Sequence, residues 1–435
     1  MKEKRKELIN GFLEKLTEEF GQLPKFAHSV NNEENVYYSG PSFDNEEMSA
    51  AIEALLFSKW GATGENVYKF EREFSKFVKA KSSLMLNSGS SANLVLITAL
   101  KKYLKWEDGD EIILSVVGFP TTLSPIMVNN LKPVFIDIEM DSLNFDITKI
   151  EEKITSRTKA IFISPVLGNS PDMDYLLMLK EKYNIELILD GCDSLGSKWD
   201  GKELTEYVIA STCSFYASHH LCTIEGGMIS SNDSELVRLA RSIAWWGRDC
   251  WCVGSSNLLS NGSCGNRFSN HWLEGHDDIV IDHKYVFSNI GYNLKPIDMQ
   301  GAMGLVQLTK FPEFERLRRK HKVEIENLLV KHIKGYKKIA ICEKSDPSWF
   351  GVPIIVNNND DKQKLVTYLE KNKIQTRNYF AGNILLHPAY KHLDDWKLYP
   401  NANEVLKRVF FIGCSPNYSE TTINYIDKVL SNYES

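Results

Sequence analysis

Short apolar runs alternate with segments of helical hydrophobic periodicity, such as Asn45–Phe57, along the first half of the chain. Continuous apolar runs of this length, bounded by turn residues, are typical of buried parallel strands. The predicted strands are Ser83–Leu86, Glu111–Leu114, Pro133–Ile138, Ala160–Pro165, Glu186–Leu189, Thr212–Tyr216 and Gly227–Ser230. Strands that alternate with helical crossovers predict an α/β fold built on one large, doubly wound, seven-stranded and mostly parallel sheet.

The pattern changes on both sides of this region. Residues 1–40 are predicted to form an N-terminal helical extension, and residues 41–310 the large domain. Within the large domain, residues 250–285 form a Ser-, Asn- and Gly-rich loop that is too long for an ordinary connection, and its cysteines favour a functional role. From residue 311 to 435 helices and strands mix, beginning with a long charged helix over Glu313–Val330, which predicts a smaller α+β C-terminal domain.

Composition and charge exclude several classes of partner. The 435-residue chain has a formal net charge of -6, so it lacks the positive charge of a nucleic-acid-binding protein. No apolar run reaches the roughly 18 residues of a membrane span, and the N-terminus lacks the apolar core of a signal peptide. We therefore expect a cytoplasmic protein whose eight cysteines serve as thiols, metal ligands or redox groups rather than disulfides.

Residues at the ends of the predicted strands suit an aromatic phosphate cofactor. Gly89, Ser90 and Ser91 follow the first strand and open a helix, where backbone N–H groups favour an anion. A serine-capped helix without a ligand is the alternative. Phe119 follows the second strand and can either stack on a flat ring or belong to the core. Asp190 ends the fifth strand, where it can pair with a protonated pyridine nitrogen or cap the next helix.

Four cysteines have a spacing that suits a metal centre. Cys192, Cys250, Cys252 and Cys264 are separated by gaps of 57, one and eleven residues. Four thiolates can hold either zinc or an iron–sulfur cluster. The single residue between Cys250 and Cys252 is tighter than usual zinc knuckles, and Cys192 lies two residues beyond Asp190. A metal there could exchange electrons with the cofactor, a role that zinc cannot perform.

The order of motifs from about Gly40 to the C-terminus resembles the DegT/DnrJ/EryC1/StrS sugar aminotransferase family. The motifs are Gly89-Ser90-Ser91-Ala92, Phe119, Asp190-Gly191-Cys192-Asp193, Ser214-Phe215-Tyr216, Glu225-Gly226-Gly227, Gly291-Tyr292-Asn293-Leu294, Gln375-Thr376-Arg377 and His387-Pro388-Ala389-Tyr390. The resemblance implies pyridoxal-phosphate fold type I, the aspartate aminotransferase-like fold, and a homodimer with shared active sites.

The same resemblance implies roles for individual residues. Ser90, Ser91 and Ser214 would hold the cofactor phosphate beside Gly89, and Phe119 would stack on the ring. Asp190 would meet the pyridine nitrogen, which is the role already suggested by its place at a strand end. Asn293 would reach the phosphate in a neighbouring subunit, and Arg377 is a candidate for binding the substrate diphosphate or sugar.

The chain departs from the family at the residue that binds the cofactor covalently. The family pattern Ser-Phe-[Phe/Tyr]-x-x-Lys-x-Leu has a lysine where this chain has His219. Imidazole cannot form the covalent bond of that lysine, so an aminotransferase cycle that depends on it is excluded. A histidine can still move a proton beside non-covalent pyridoxamine 5′-phosphate. His220 is shifted by one residue, so His219 is the predicted base.

His219 and the cysteines together resemble one branch of the family, the pyridoxamine-phosphate- and [2Fe–2S]-dependent 3-dehydrases typified by CDP-4-keto-6-deoxy-D-glucose 3-dehydrase. The first two cysteine gaps match that branch, whereas the last gap is four residues longer, which makes Cys264 the least secure ligand. Asp193 and Tyr216 also match it. The resemblance implies that they act in catalysis with His219 and Asp190.

The branch implies C3-deoxygenation of a CDP- or dTDP-linked 4-keto-6-deoxyhexose in dideoxysugar and O-antigen biosynthesis. Electrons would come through the cluster from a separate NAD(P)H-dependent flavin/iron–sulfur reductase, since this chain has no Gly-x-Gly-x-x-Gly dinucleotide motif. Two alternatives remain open at this point. One is an iron-free dehydratase or altered aminotransferase with zinc or no metal at the cysteines, and the other is a cofactor-binding regulatory protein.

Overall fold

The computed structural model describes residues 2–21, 35–250 and 267–433. Its α-helices are α1 (Lys2–Phe20), α2 (Asn45–Phe57), α3 (Glu65–Phe77), α4 (Gly89–Tyr103), α5 (Pro120–Val128), α6 (Met173–Tyr183), α7 (Ser234–Ala244), α8 (Asp298–His332), α9 (Asn359–Lys371), α10 (Pro400–Arg408) and α11 (Glu420–Ser431). Its strands are β1 (Ser82–Leu86), β2 (Glu111–Ser115), β3 (Lys132–Ile136), β4 (Thr158–Ile163), β5 (Glu186–Asp190), β6 (Lys198–Trp199), β7 (Lys202–Glu203), β8 (Ala210–Ser214), β9 (Gly227–Ser231), β10 (Phe268–Ser269), β11 (Ile281–Asp282), β12 (Ser345–Asp346), β13 (Gly351–Ile355), β14 (Thr376–Asn378) and β15 (Val409–Gly413).

The central sheet has seven strands in the order β1-β9-β8-β5-β4-β2-β3. Strand β9 is antiparallel to both of its neighbours, and the other adjacent pairs are parallel. Each predicted strand lies in this sheet, so the prediction of a seven-stranded, mostly parallel sheet is confirmed. Helices cover both faces, which explains why the strands read as continuous apolar runs rather than alternating ones.

A carboxylate protects the β1 edge of this sheet. The backbone N–H of Met85 in β1 donates to Oε1 of Glu71 at 2.8 Å. Glu71 lies on α3 and also accepts from the guanidinium of Arg241 on α7 at 2.7 Å. An unpaired strand edge can recruit another chain, and this buried ion pair occupies one N–H group of that edge and links two helices beside it.

The long helix begins earlier than the sequence pattern indicates. The predicted start at Glu313 is wrong, since α8 begins at Asp298 and continues through Pro312. Its first turns carry small residues that pack closely on α3: a Cβ on Gly301 would lie 2.5 Å from the backbone nitrogen of Val67. Glycines and the proline have low helix propensity, so this part of α8 depends on packing against α3 for its stability.

The C-terminal part combines a second sheet with helices. Its three strands follow the order β13-β15-β14 with antiparallel pairing; α9 packs against β14, α10 packs against β15, and α11 packs against α8. This agrees with the predicted α+β character. The carboxylate of Asp137, after β3, accepts from the backbone N–H groups of Asn401 and Ala402 in α10 at 3.0 and 2.8 Å, which ties this part to the large sheet. The domain boundaries at residues 40 and 310 remain predictions.

Across the described ranges, no α-helix combines the length and the apolar character that crossing a membrane requires.

Candidate active site

A cavity of about 610 Å³ opens where the carboxyl ends of the central strands face the C-terminal sheet. Brändén's rule for open α/β sheets places ligands at this edge. The lining contains these predicted cofactor and catalytic residues, with the predicted metal ligand Cys192 beside them: Gly89, Ser90, Phe119, Asp190, Asp193, Ser214, Tyr216 and His219. Two further predicted residues, Ser91 and Asn293, do not line it.

Asp190 ends β5 with its carboxylate held by three donors. Oδ2 accepts from Nδ2 of Asn93 at 2.8 Å and from the hydroxyl of Thr122 at 2.7 Å. Oδ1 accepts from the backbone N–H of Cys192 at 3.3 Å. Oδ1 therefore has the fewer protein donors, while the residue is only 5% exposed. A buried carboxylate fixed in this way can direct a charge-assisted hydrogen bond at a ring nitrogen.

His219 lines the same cavity and has a defined tautomer. Its Nδ1 is 2.7 Å from the carbonyl oxygen of Cys192. A carbonyl can only accept, so Nδ1 carries the hydrogen and Nε2 carries the free lone pair. The imidazole lies beside the ring of Phe350, with the centroids 5.4 Å apart, and its side chain is 17% exposed. The geometry thus offers Nε2 as a proton acceptor.

Burial keeps the residues around Nδ1 uncharged at neutral pH. It lowers the pKa of His219 to about 4, against the opposing effects of the Cys192 carbonyl and the Asp190 charge. Burial, assisted by Asp190, raises the pKa of Asp193 to about 8. Oδ1 of Asp193 is 3.4 Å from Nδ1 of His219, and this contact is therefore not an ion pair at neutral pH.

The neighbouring histidine is turned away from the cavity. Nε2 of His220 donates to the carbonyl of Ser348 at 3.1 Å, and its buried Nδ1 has no partner among the described residues. His220 is 3% exposed and does not line the cavity. The geometry therefore favours His219 over His220 as the group that can meet a ligand.

The N-terminus of α4 forms a close-packed cradle. The hydroxyl of Ser88 caps the helix by accepting from the backbone N–H of Ser91 at 3.1 Å, and it also contacts Oγ of Ser91 at 3.0 Å. Ser91 is thus engaged in the cap rather than in the cavity lining. A Cβ on Gly89 would lie 2.5 Å from Cβ of Ser214, so only glycine fits at this point. Free N–H groups and the helix dipole make such a terminus suitable for a phosphate.

An aromatic side chain is available beside the cradle. Phe119 precedes α5 and lines the cavity. Its side chain is 54% exposed, so it does not belong to the core. Its ring meets Phe380 edge-on, with centroids 6.4 Å apart, which leaves a face for a flat ligand. Together with the cradle and the held carboxylate of Asp190, this residue set fits a pyridine ring that carries a phosphate.

The structure tests only two of the four predicted metal ligands. Cys192 lines the cavity, whereas Cys250 is buried and 6% exposed. Cys252 and Cys264 lie outside the described residues. In the ranges that are described, no group of three or more His, Cys, Asp or Glu side chains is arranged to hold a metal. Burial raises the pKa of the Cys192 thiol, so a bound cation would be needed to hold it as a thiolate.

Comparison with known proteins defines the family. The model of the DegT/DnrJ/EryC1/StrS aminotransferase family matches residues 42–431. The chain belongs to this family. Proteins similar to it include a GDP-4-keto-6-deoxy-D-mannose 3-dehydratase and the aminotransferase PseC, and structures of the 3-dehydratase contain pyridoxal phosphate.

Two curated relatives share about a third of their residues with this chain. The dTDP-4-dehydro-2,6-dideoxy-D-glucose 3-dehydratase of Saccharopolyspora spinosa is 35% identical over 405 residues, which cover 91% of this chain and 86% of the relative. The lipopolysaccharide biosynthesis protein RfbH of Salmonella typhimurium is 35% identical over 407 residues, which cover 91% and 90%.

Solved structures of GDP-4-keto-6-deoxymannose-3-dehydratase share the fold. A mutant with bound GDP-perosamine has a TM-score of 0.78 and 28% identity, with 91% of this chain and 100% of that chain covered. The E. coli enzyme with bound hydrated pyridoxal phosphate has a TM-score of 0.77 and 29% identity, with 91% and 99% covered. These matches confirm the predicted aspartate aminotransferase-like fold.

Several residues that contact the site residues were not predicted from the sequence. Asn93 and Thr122 hold Asp190, and only the position of Asn93 four residues after Gly89, on the same helix face, hints at a role. Arg318 is 1% exposed, and its Nη2 lies 3.4 Å from the carbonyl of His219. Such contacts depend on elements far apart in the chain, so periodicity does not reveal them.

Proposed function

We propose that this chain removes the 3-hydroxyl group of a nucleotide-linked 4-keto-6-deoxyhexose, with pyridoxamine or pyridoxal phosphate held non-covalently. The observation that carries the proposal is His219, an imidazole with an available Nε2, at the position where the family pattern has its covalent lysine. Relatives named as 3-dehydratases support the same reaction class. An aminotransferase cycle would need the lysine that is missing.

Cofactor residues have distinct proposed roles. Gly89, Ser90 and Ser214 would receive the phosphate at the N-terminus of α4, with Ser91 acting through the helix cap. Phe119 would cover one face of the ring, and Asp190 would hold its nitrogen protonated. The cofactor, when bound, supplies an electron sink for the carbon that loses a proton. The donors Asn93 and Thr122 keep the Asp190 carboxylate aligned for this purpose.

Proton movement is assigned to His219. The hydrogen bond from Nδ1 to the Cys192 carbonyl fixes the ring and leaves Nε2 to accept the proton. The low pKa of about 4 keeps this atom unprotonated at neutral pH. Asp193 and Tyr216 would orient the imidazole and the substrate from either side, since Asp193 lies 3.4 Å from Nδ1 and the Tyr216 ring meets the imidazole edge-on.

A metal centre and a partner complete the proposal. Cys192, Cys250, Cys252 and Cys264 would hold a [2Fe–2S] cluster, which would supply one-electron transfer from a separate NAD(P)H-dependent flavin/iron–sulfur reductase. Support comes from the cysteine spacing and from the place of Cys192 in the cavity lining. An iron-free dehydratase is the competing proposal, because relatives solved with pyridoxal phosphate act on the same class of keto sugar.

The nucleotide and the assembly are also proposed. We assign CDP as the substrate nucleotide, with dTDP as the alternative that the Saccharopolyspora relative's name supports. The working form is proposed to be a cytoplasmic homodimer, since Asn293 is exposed outside its own cavity, where a neighbouring subunit could use it. Exposed apolar side chains at Leu55, Leu56 and Trp60 supply a surface for such an assembly.

Iron analysis tests the metal proposal. Protein purified without oxygen is expected to contain about two iron and two acid-labile sulfide atoms per chain. A Cys264→Ser variant should lose them, while Cys342→Ser, which changes a cysteine outside the proposed ligand set, should retain them. Zinc, or no metal after careful reconstitution, would replace the one-electron scheme with the iron-free dehydratase.

Turnover tests the reaction itself. With pyridoxamine phosphate and a reductase, the protein should consume CDP-4-keto-6-deoxyglucose faster than the dTDP- or GDP-linked sugar. A His219→Asn variant should lose at least about 100-fold in kcat, as is typical when a general base is removed, but still bind the cofactor. Unchanged turnover in this variant would refute the assigned base and favour a non-catalytic role.

A further inference from the structure

A serine hydroxyl without a partner lies beside Asp190. Ser164 directly follows β4, is half-buried and lines the 610 Å³ cavity. The register of the parallel strands pairs Ile163 of β4 with Leu189 of β5, so the next residues along, Ser164 and Asp190, are neighbours. Within the described ranges the Ser164 hydroxyl makes no hydrogen bond, whereas the Asp190 carboxylate has three donors. The hydroxyl is therefore available to a ligand in the cavity.

The pattern of the strands directs this side chain to the same face as Asp190. Residues two apart in a strand share a face of the sheet. Phe162 and Ile188 belong to one apolar cluster, so Ser164 and Asp190, each two residues further along, lie on the face of that cluster. Pro165 restricts the residue before it to extended backbone, so the alternation continues past the end of β4.

The order of the strands decides which edge of a bound pyridine ring Ser164 meets. The cradle for the phosphate is formed by Gly89 after β1 and by Ser214 at the end of β8. In the order β1-β9-β8-β5-β4, both lie on one side of Asp190 at the end of β5, and Ser164 lies on the other side. In pyridoxamine phosphate, the carbon with the phosphate arm and the carbon with the 3-oxygen lie on opposite sides of the axis through the ring nitrogen. The 3-oxygen therefore belongs on the side of β4.

We propose that Ser164 is a further cofactor-binding residue, whose hydroxyl donates to the 3-oxygen of the pyridine ring. This inference rests on the proposed function, because it takes the ring nitrogen to lie at Asp190 and the phosphate at the N-terminus of α4. A serine hydroxyl rotates freely and can donate to such an oxygen. The bond gives the ring a third fixed point, which prevents its rotation in its own plane and keeps its reacting carbon beside His219.

Ser164→Ala tests the donor by cofactor binding rather than by turnover. Alanine retains the backbone and removes only the hydroxyl. We expect the affinity for pyridoxamine phosphate, measured by fluorescence titration, to fall by about three-fold or more, because a hydrogen bond to the ring is lost. A smaller change would overturn the role of Ser164.

An analogue of the cofactor identifies the acceptor atom. 3-Deoxypyridoxamine 5′-phosphate lacks the oxygen that Ser164 is proposed to meet. It should therefore bind to the wild type and to Ser164→Ala with affinities that agree within about two-fold. A loss for this analogue as large as the loss for pyridoxamine phosphate would show that the hydroxyl acts elsewhere, and would overturn the assignment.

Ser231→Ala is the matched control. Ser231 is the last residue of β9, and its hydroxyl donates to the carbonyl of Ile209 at 2.6 Å. It pairs with Ala210 at the start of β8, so it lies at the opposite edge of the sheet from the cavity. This variant should leave the affinity for pyridoxamine phosphate unchanged, even where the melting temperature falls. An equal loss of affinity in both serine variants would overturn the specific role of Ser164.

The wild-type protein separates the two proposals. A wild type that does not bind pyridoxamine phosphate would overturn the proposed function and this inference together. A wild type that binds it with the same affinity as Ser164→Ala would overturn the inference alone.

Discussion

At the scale of single residues, orientation rather than identity distinguishes this site. A carboxylate at a strand end is common, but that of Asp190 has two donors on one oxygen and a backbone N–H on the other. His219 is likewise fixed by one carbonyl, which decides which ring nitrogen is basic. The direction of each of these side chains is thus set by the hydrogen bonds of its neighbours.

Thr122→Val isolates one of these neighbours. Valine has nearly the shape of threonine but lacks the hydroxyl that donates to Oδ2 of Asp190 at 2.7 Å. Hydrogen bonds to charged groups contribute about 1.5–3 kcal/mol, so the affinity for pyridoxamine phosphate should fall by about 10-fold or more in a fluorescence titration. Thr98→Val, which removes a hydroxyl bonded to its own helix at Leu94, should not change that affinity. Equal losses in both variants would show that the effect is not specific to Asp190.

The sequence identified the residues whose signal is local. Asp190 could be predicted because an acid directly follows an apolar strand, and Gly89 because small residues follow β1. Thr122 and Asn93 could not be predicted, because each acquires its role from Asp190, which is distant in the chain. The structure supplies these pairs, whereas the roles of the predicted site residues await the experiments above.

At the scale of elements, the bounds of the strands were predicted more accurately than the start of the long helix. Strand β1 was predicted over Ser83–Leu86 and forms Ser82–Leu86, since a buried strand is apolar along its whole length. Helix α8 was predicted to begin 15 residues too late, because its first turns are held by packing against α3 rather than by a helical pattern. The packing of two elements against each other cannot be predicted from the sequence of either one alone.

Gly301→Ala tests that packing. A Cβ at this position would lie 2.5 Å from the backbone nitrogen of Val67, so α3 and α8 must separate. We expect a loss of about 1–3 kcal/mol in the free energy of unfolding, although alanine alone would favour a helix by up to about 1 kcal/mol. Gly11→Ala in α1, where a Cβ would meet nothing within 4 Å, should be neutral or stabilising. Denaturant unfolding compares the two, and a stabilised Gly301→Ala protein would contradict the packing argument.

At the scale of the whole molecule, buried acids make stability depend on pH. Glu203 is the last residue of β7, and burial raises its pKa to about 7. The charges of Glu315 and Glu206 add to this effect, whereas Lys198 opposes it. The unfolded carboxyl titrates at its ordinary pKa of about 4.3. The folded state therefore binds more protons between these values, and its stability falls as pH rises through this window.

Glu203→Gln should remove this dependence. At pH 8 the variant is expected to be more stable than the wild type by about 1–3 kcal/mol, and at pH 4 the difference should disappear, because the wild-type carboxyl is then protonated in the folded state. Denaturant unfolding at both pH values measures this. Glu181→Gln is the control, since Glu181 is exposed on α6 and is not among the charges that shift the pKa of Glu203. A pH-independent difference would indicate a packing effect instead.

The order of strands in the central sheet has a consequence for how the chain is made. Among the strands that the structure describes, β1 pairs with β9 alone, and Ser83 in β1 shares a hydrogen bond with Ser230, 147 residues further along. A ribosome completes β1 long before β9 exists, so the backbone N–H and C=O groups of β1 stay unpaired and its apolar side chains stay unburied while the middle of the sheet is synthesised. Closing so long a loop is slow, and the chain has to be shielded from other nascent chains until β9 emerges.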